Sequence, residues 1–215
     1  MSDKSDLRPL FTRGAVDVIS RKTVYDGFFQ MHKLRLRHRL YRGGWSGEME
    51  RELFVRGNAV GVLLYDPVHQ LVAMTEQFRV GALERESGPW CLEVVAGMVE
   101  PGESIEDVAR RELQEEAGIE SCELHFIRSY LPSPGGACER MHLFCACADL
   151  RAVEGLFGLA DEHEDIRLRV LPLEQVLSAA SNSDEPAIDN AASIISLQWL
   201  QLNRERLAAT VASDE

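Results

Sequence analysis

The chain has 215 residues, 45% of them apolar, which is enough to fill the core of one medium domain or of a domain with a smaller appendage. A formal net charge of −12 gives no electrostatic footprint for a nucleic-acid backbone, so no nucleic-acid partner is expected, and a polyanionic ligand would need local counter-charge from divalent cations or arginines. The first residues, MSDKSDLRPLFTRG, carry no signal-peptide pattern and no apolar run approaches the length of a bilayer span, which predicts a cytoplasmic protein with no membrane partner. Cys91, Cys122, Cys138, Cys145 and Cys147 include no CxxC pair, so thiols in a reducing compartment are expected rather than a disulfide framework or a zinc site.

Taken in chain order, VDVIS and TVYDGFFQ read as strands. They are followed by an alternation with Leu34, Leu36 and Leu40 on one face and Arg35, Arg37 and Arg39 on the other. Gly43, Gly44 and Gly47 mark a turn before the extended EMERELFVRG, and a soft boundary falls near Arg56. AVGVLLY and LVAMTEQFR form a hairpin across DPVHQ, then Cys91 to Val95 is a short strand ahead of a loop from Gly97 to Gly102. Ser104 with Asp107 starts a helix that Gly118 stops, and Ile105, Val108, Ala109 and Leu113 form its core stripe. LHFIRSY and RMHLFCACAD read as strands around LPSPGGACE, IRLRVL as another after the acidic DEHED, and the stretch from Ile188 to about Leu207 as an amphipathic helix. Strands mixed with a few helices indicate an α/β sandwich. Three segments are expected: 1–55 as an N-terminal β segment, 56–209 as the main domain, and 210–215 as a disordered acidic tail.

The segment GMVEPGESIEDVARRELQEEAGI, from Gly97 to Ile119, carries the chemistry. On a helix Glu112 and Glu116 lie about 40° apart in azimuth, with Glu115 about 60° to the other side of Glu112, so three carboxylates share one face. Like charges at this spacing repel, and hard divalent cations with all-oxygen coordination would relieve the repulsion. Glu103 and Arg111 are expected to pair and steady this face, with Arg111 pointing away from its neighbour Glu112. A Glu-rich helix alone would read as a solvated surface.

The full pattern changes that reading. Gly97, Glu103, Arg111, Glu112, Leu113, Glu115, Glu116, Gly118 and Ile119 occupy every fixed position of the Nudix box, so the chain resembles the Nudix hydrolases. Beyond the box, YDGFF, MERELFVRG, EQFR, PWCLEVVAGMVEPGE, SPGGACER, GLADEHEDI and IDNAASIISLQWLQL resemble the ADP-ribose pyrophosphatase branch over roughly residues 15 to 205.

The resemblance implies an α/β/α sandwich with a mixed sheet, whose N-terminal β segment mediates an intertwined homodimer with a shared site. It implies magnesium, two or three ions with manganese as a substitute, held by Glu112, Glu115, Glu116, Glu164 and the carbonyl of Ala96. It implies Glu162 as general base and a small-molecule nucleoside diphosphate sugar as substrate, ADP-ribose first. Phe28 or Phe29 would stack on adenine, and Arg51, Glu52 and Arg56 would contact the nucleotide or terminal ribose. Arg79 would meet phosphate, where a guanidinium fork suits bidentate recognition, Glu139 would meet ribose hydroxyls, and Met98 is placed among the substrate contacts. The alternatives are an enzyme for another nucleoside diphosphate sugar such as GDP-mannose, and a non-catalytic ADP-ribose-binding module.

Overall fold

The computed structural model describes residues 7–120, 122–159, 163–181 and 187–213, with side chains described through 209. The chain divides into two compact units, residues 1–56 with 133–139 and residues 57–132 with 140–215.

The first unit is a three-stranded antiparallel sheet of β1 (Val16–Asp26), β2 (Gln30–His38) and β3 (Met49–Val55). The expected strand VDVIS and the first half of TVYDGFFQ are one continuous β1, which ends at Asp26; Gly27–Phe29 turn the chain and Gln30 opens β2, and the register of β1 against β2 shifts between Val18 and Ser20 and again between Thr23 and Tyr25. Such bulges let a strand bend without ending, which apolar spacing alone does not reveal. The leucines and arginines of β2 alternate as expected: Leu34 and Leu36 are half-buried, while Arg35 and Arg37 are exposed and pair with Glu48 and Asp17. The segment 133–139 joins this unit through Phe54, whose N–H donates to Gly136 O (2.8 Å) and whose carbonyl accepts from Cys138 N (3.2 Å).

The second unit is an eight-stranded mixed sheet. Its strands are β4 (Ala59–Asp66), β5 (Leu71–Phe78), β6 (Trp90–Glu93), β7 (Val95–Met98), β8 (Glu123–Tyr130), β9 (Met141–Cys147), β10 (Gly155–Phe157) and β11 (Ile166–Pro172). The path runs β10-β11-β5-β4-β9-β8, with β6 on β5 and β7 on β4. All eight residues of β4 are buried, as befits a central strand covered on both faces. Its parallel pairing with β9 makes the sheet mixed.

On one face Val60, Val62 and Leu64 pack with Val108, Ala109, Leu113 and Ala117 of α1 (Ile105–Ala117). On the other, Leu63, Tyr65, Val72 and Met74 pack with Leu173 and Val176 of α2 (Leu173–Ser181) and with Leu197, Leu200 and Leu207 of α3 (Ala191–Ser213). The result is the α/β/α sandwich the sequence indicates. Helix α2 was not anticipated, because it is short and follows β11 directly without a capping signal. Helix α3 runs on to Ser213, beyond both Leu207 and the start of the expected tail, because Ala208, Ala209 and Ala212 are strong helix formers. Asp214 and Glu215 lie outside the described residues.

The single strand expected from Cys91 to Val95 is two strands. The chain leaves β5 after Glu93 and joins β4 at Val95. The backbone of this crossing is held from the start of α3 and the residue before it: Asn190 Nδ2 donates to Leu92 O (3.0 Å), and Ser193 Oγ accepts from Val94 N (3.0 Å).

At the far end of β4, the buried Asp66 accepts from the N–H groups of Val68, His69 and Leu150 and lies 2.9 Å from His69 Nδ1. Burial works against its charge, but these donors outweigh it and hold its pKa below the ordinary carboxylate value. Asp66→Ala strands three N–H groups, so it should cost about 2–4 kcal/mol and lower Tm by several degrees. Thermal unfolding checks this, and a loss below about 0.5 kcal/mol, the usual size of a surface change, would contradict it.

Candidate active site

Helix α1 presents its carboxylates at a fixed rotation. Ser104 caps it by accepting from Asp107 N–H, and Gly118 ends it in the left-handed region at φ 66°, with its N–H on the carbonyls of Gln114 and Leu113. The buried stripe of Val108, Ala109, Leu113 and Ala117 leaves no rotational freedom, so Glu112 and Glu116 are carried into the protein at 7% and 2% exposure. Glu116 Oε2 accepts from Ala96 N–H (3.1 Å) in β7. Glu112 lies over Gly97, where a Cβ would fall 1.7 Å from Glu112 Oε1. The glycine is there to make room for the carboxylate, a reason its place in the sequence pattern does not disclose.

Arg111 behaves differently from expectation. It pairs with Glu103 (3.3 Å), but it also turns back to Glu112 (2.7 Å) and reaches Glu115 (3.1 Å), while Nη2 donates to Met98 O (3.2 Å). A long flexible side chain can curl against its own neighbour when three carboxylates attract it. Burial works against the guanidinium charge, but Glu103, Glu112 and Glu115 outweigh it and hold the arginine pKa above its ordinary value. Burial pushes Glu112 up to about 7 against the opposing charge of Arg111. Burial likewise pushes Glu116 up to about 8, with the Ala96 N–H bond opposing.

Three further charges border this face. Arg79, just past β5, donates from Nε to Glu93 Oε2 (2.6 Å), and its charge acts against protonation of Glu116. Glu164 adds the opposite influence, raising both Glu112 and Glu116. It is held in a folded-back segment in which its N–H donates to Leu159 O (3.2 Å) and its Oε2 accepts from Leu159 N–H (3.3 Å). Gly158 permits that fold: its φ is 103°, and a Cβ would lie 2.8 Å from Glu164 Cβ. Glu93 and Gly158 were missed in the sequence, since neither stands in a periodic or repeated pattern. Glu162 lies outside the described residues. Met98, read as a substrate contact, is half-buried with its carbonyl on Arg111.

The remaining candidates belong to the first unit. Phe28 is 87% exposed and meets Phe29 edge-on at 4.7 Å. Phe29 in turn meets Phe54 at 5.2 Å, and the Arg56 guanidinium lies 5.4 Å from the Phe29 ring centre. Arg56 Nη1 is 3.4 Å from Oε2 of the buried Glu139. Phe29, Arg56 and Glu139 are therefore one cluster, although the last is 83 residues beyond Arg56 in the chain. Arg51 and Glu52 are both exposed on β3 and, as strand neighbours, face opposite ways.

The box suits a hard cation on its own chemistry. Its donors are carboxylate oxygens, Gly97 reserves space for one of them, and two carboxylates share a cationic nitrogen. A separate group, Asp66, His69 and Asp149, also brings one ligand atom each within 4.8 Å. It lies at the opposite end of β4 from β7, roughly 20 Å away at the rise of a strand. Asp66 there is filled by N–H donors and Asp149 by Arg151, so the group is a turn lock.

Two outcomes follow for metal-free protein in chelator. Glu116 keeps a proton in the folded state between its ordinary 4.5 and about 8, so this source of stability is complete below the lower value and is lost as pH rises through the upper one. Glu116→Gln, which imitates the protonated form, should flatten the fall of Tm between pH 5 and 8. At pH 8 it should melt roughly 2–4 °C above wild type, about 1 kcal/mol. An unchanged slope in the variant would contradict this. Gly97→Ala should fold with a Tm within a few degrees of wild type yet weaken divalent-cation binding at least about tenfold, or 1.4 kcal/mol, in calorimetry.

Comparison with known proteins supplies the family. The NUDIX domain model matches residues 55–193. The chain is 46% identical over 205 residues, 95% of its length and 97% of the relative's, to the ADP-ribose pyrophosphatase of Escherichia coli strain K12. It is 31% identical over 165 residues, 76% of its length and 83% of the relative's, to the GDP-mannose pyrophosphatase of Pectobacterium atrosepticum. Its fold is similar to a crystal structure of an ADP compounds hydrolase, with a TM-score of 0.64 at 23% identity over 87% of this chain and 95% of that one. The carboxylate-bearing helix, the sandwich that positions it and these likenesses agree: the chain belongs to the Nudix family.

Proposed function

We propose that this chain hydrolyses the diphosphate of ADP-ribose to AMP and ribose 5-phosphate with magnesium at the box. The observation that carries it is the oxygen-only face of α1 set in a chain alike over 95% of its length to an ADP-ribose pyrophosphatase. Likeness to the GDP-mannose enzyme is weaker in both identity and extent, which ranks that substrate second.

Glu112, Glu115, Glu116, Glu164 and the Ala96 carbonyl would hold the metal, which supplies charge neutralisation at the diphosphate and a more electrophilic phosphorus. Arg79, steadied by Glu93, presents its guanidinium to a phosphate oxygen. Glu162 takes the proton of the attacking water. Phe28 or Phe29 stacks on the adenine; Arg51, Glu52, Arg56, Met98 and Glu139 contact nucleotide and ribose.

The protein acts as a homodimer that shares its sites. Supporting this, Leu10, Val24, Tyr25, Phe28 and Tyr41 of the first unit are all at least 50% exposed, a concentration of apolar surface that calls for cover. Among the described residues no helix is long and apolar enough to cross a membrane.

With magnesium and a panel of ADP-ribose, GDP-mannose, NADH and diadenosine polyphosphates, kcat/KM should be highest for ADP-ribose. A tenfold preference for GDP-mannose would overturn the assignment, and binding without turnover would mean a non-catalytic module. Glu162→Gln should lower kcat by about 10²–10⁴ while leaving ADP-ribose affinity within a few-fold, and near-normal kcat would place the base elsewhere.

A further inference from the structure

The guanidinium of Arg111 is divided between two kinds of partner. Nη1 bonds Glu112 Oε1 (2.7 Å) and Glu115 Oε2 (3.1 Å), both assigned above to the metal. Nε and Nη2 face away from them, to Glu103 (3.3 and 3.4 Å) and to the carbonyl of Met98 (3.2 Å). Glu103 is itself tethered to the loop before the helix, accepting from Glu100 N–H at 3.0 Å. One edge of the fork is thus anchored to groups outside the ligand set, while the other lies in the position that bridges two members of it.

We propose that Arg111 is a resident counter-cation of the box: a divalent ion entering between Glu112 and Glu115 displaces Nη1, while Nε and Nη2 stay anchored on Glu103 and Met98. This rests on the reading of those glutamates as metal ligands. Two positive centres in one gap between carboxylates repel each other strongly, which favours metal entry as an exchange of cations. The arginine offsets the mutual repulsion of the glutamates until that exchange, so the metal-binding free energy is smaller by the strength of the bonds it breaks. The anchors shorten the movement, because turning the fork about its Glu103 edge frees Nη1 without withdrawing the side chain. Metal affinity is thereby set by a side chain that is not itself a ligand.

The test uses full-length protein stripped with chelator and titrated with Mn²⁺ or Mg²⁺. Arg111→Gln removes the competing charge but keeps hydrogen-bonding capacity, so it should bind Mn²⁺ about fivefold or more tightly than wild type while melting at a lower temperature in chelator. Arg111→Lys keeps the charge without the fork and should lie between the two in affinity. In wild-type protein, which needs no variant to fold, the ¹⁵N signals of the Arg111 guanidinium should shift with Mg²⁺ in step with saturation. Unchanged or weaker Mn²⁺ binding by Arg111→Gln, or guanidinium signals that stay still while Mg²⁺ saturates, would overturn the exchange. Mn²⁺ that fails to broaden the wild-type amides of Gly97 and Glu116 would remove the metal site itself, and the exchange with it. Broadening of those amides without tighter binding by the variant removes the exchange alone.

Discussion

Carboxylates gathered on neighbouring turns of a helix repel one another, and two of those on α1 are also withdrawn from water, which raises the cost of their charge. The rest of the second unit can be understood as the means of holding that arrangement. The apolar stripe beneath α1 sets its rotation, β7 supplies an N–H to Glu116 and an empty Cβ position to Glu112, and Arg111 supplies a positive charge between Glu112 and Glu115. Burial, with the neighbouring carboxylates adding to it, pushes the pKa of Glu112 and Glu116 upward. Carboxylate oxygens gathered and withdrawn from water in this way suit a hard cation.

The short crossing from β6 to β7 decides where the sheet meets that helix. Strand β6 pairs with β5 and carries Glu93, which orients Arg79; β7 pairs with β4 and carries Ala96 and Gly97. A single crossing therefore places Glu93, the partner of Arg79, and the backbone beside Glu112 and Glu116 on successive strands. The crossing exposes backbone groups that a continuous strand would have paired, and the start of α3 and the residue before it supply their partners through Ser193 and Asn190. In this way a helix on the opposite side of the sheet from α1 contributes to the geometry of the site.

The first unit has a different character. Its sheet is tied together by charge pairs along β2 and β3, and it carries exposed apolar side chains together with the cluster of Phe29, Arg56 and Glu139. An aromatic face beside a guanidinium and a buried carboxylate is suited to a base and to sugar hydroxyls, whereas the box is suited to a diphosphate. In the proposed function, diphosphate chemistry is assigned to the box and base and sugar recognition to the first unit, in keeping with one box serving many substrates across a family.

Much of this was legible in the residues. The spacing of Glu112, Glu115 and Glu116, the Ser104 and Gly118 helix signals, and the continuous apolar run of β4 determined by themselves the helix, its acidic face and the layered sandwich, because each rests on local periodicity or local backbone preference. What lay beyond local preference was decided by the tertiary structure. The break of Cys91–Val95 into two strands depends on which neighbours each half pairs with. The return of Arg111 onto Glu112 depends on carboxylates brought together by the fold, and the meeting of Glu139 with Arg56 depends on a segment that begins 79 residues after Phe54 and returns to pair beside it. Sequence spacing determines which side chains share one helix or one strand; only packing decides which elements meet, because long-range pairing is set by burial and hydrogen-bond satisfaction across the whole sheet.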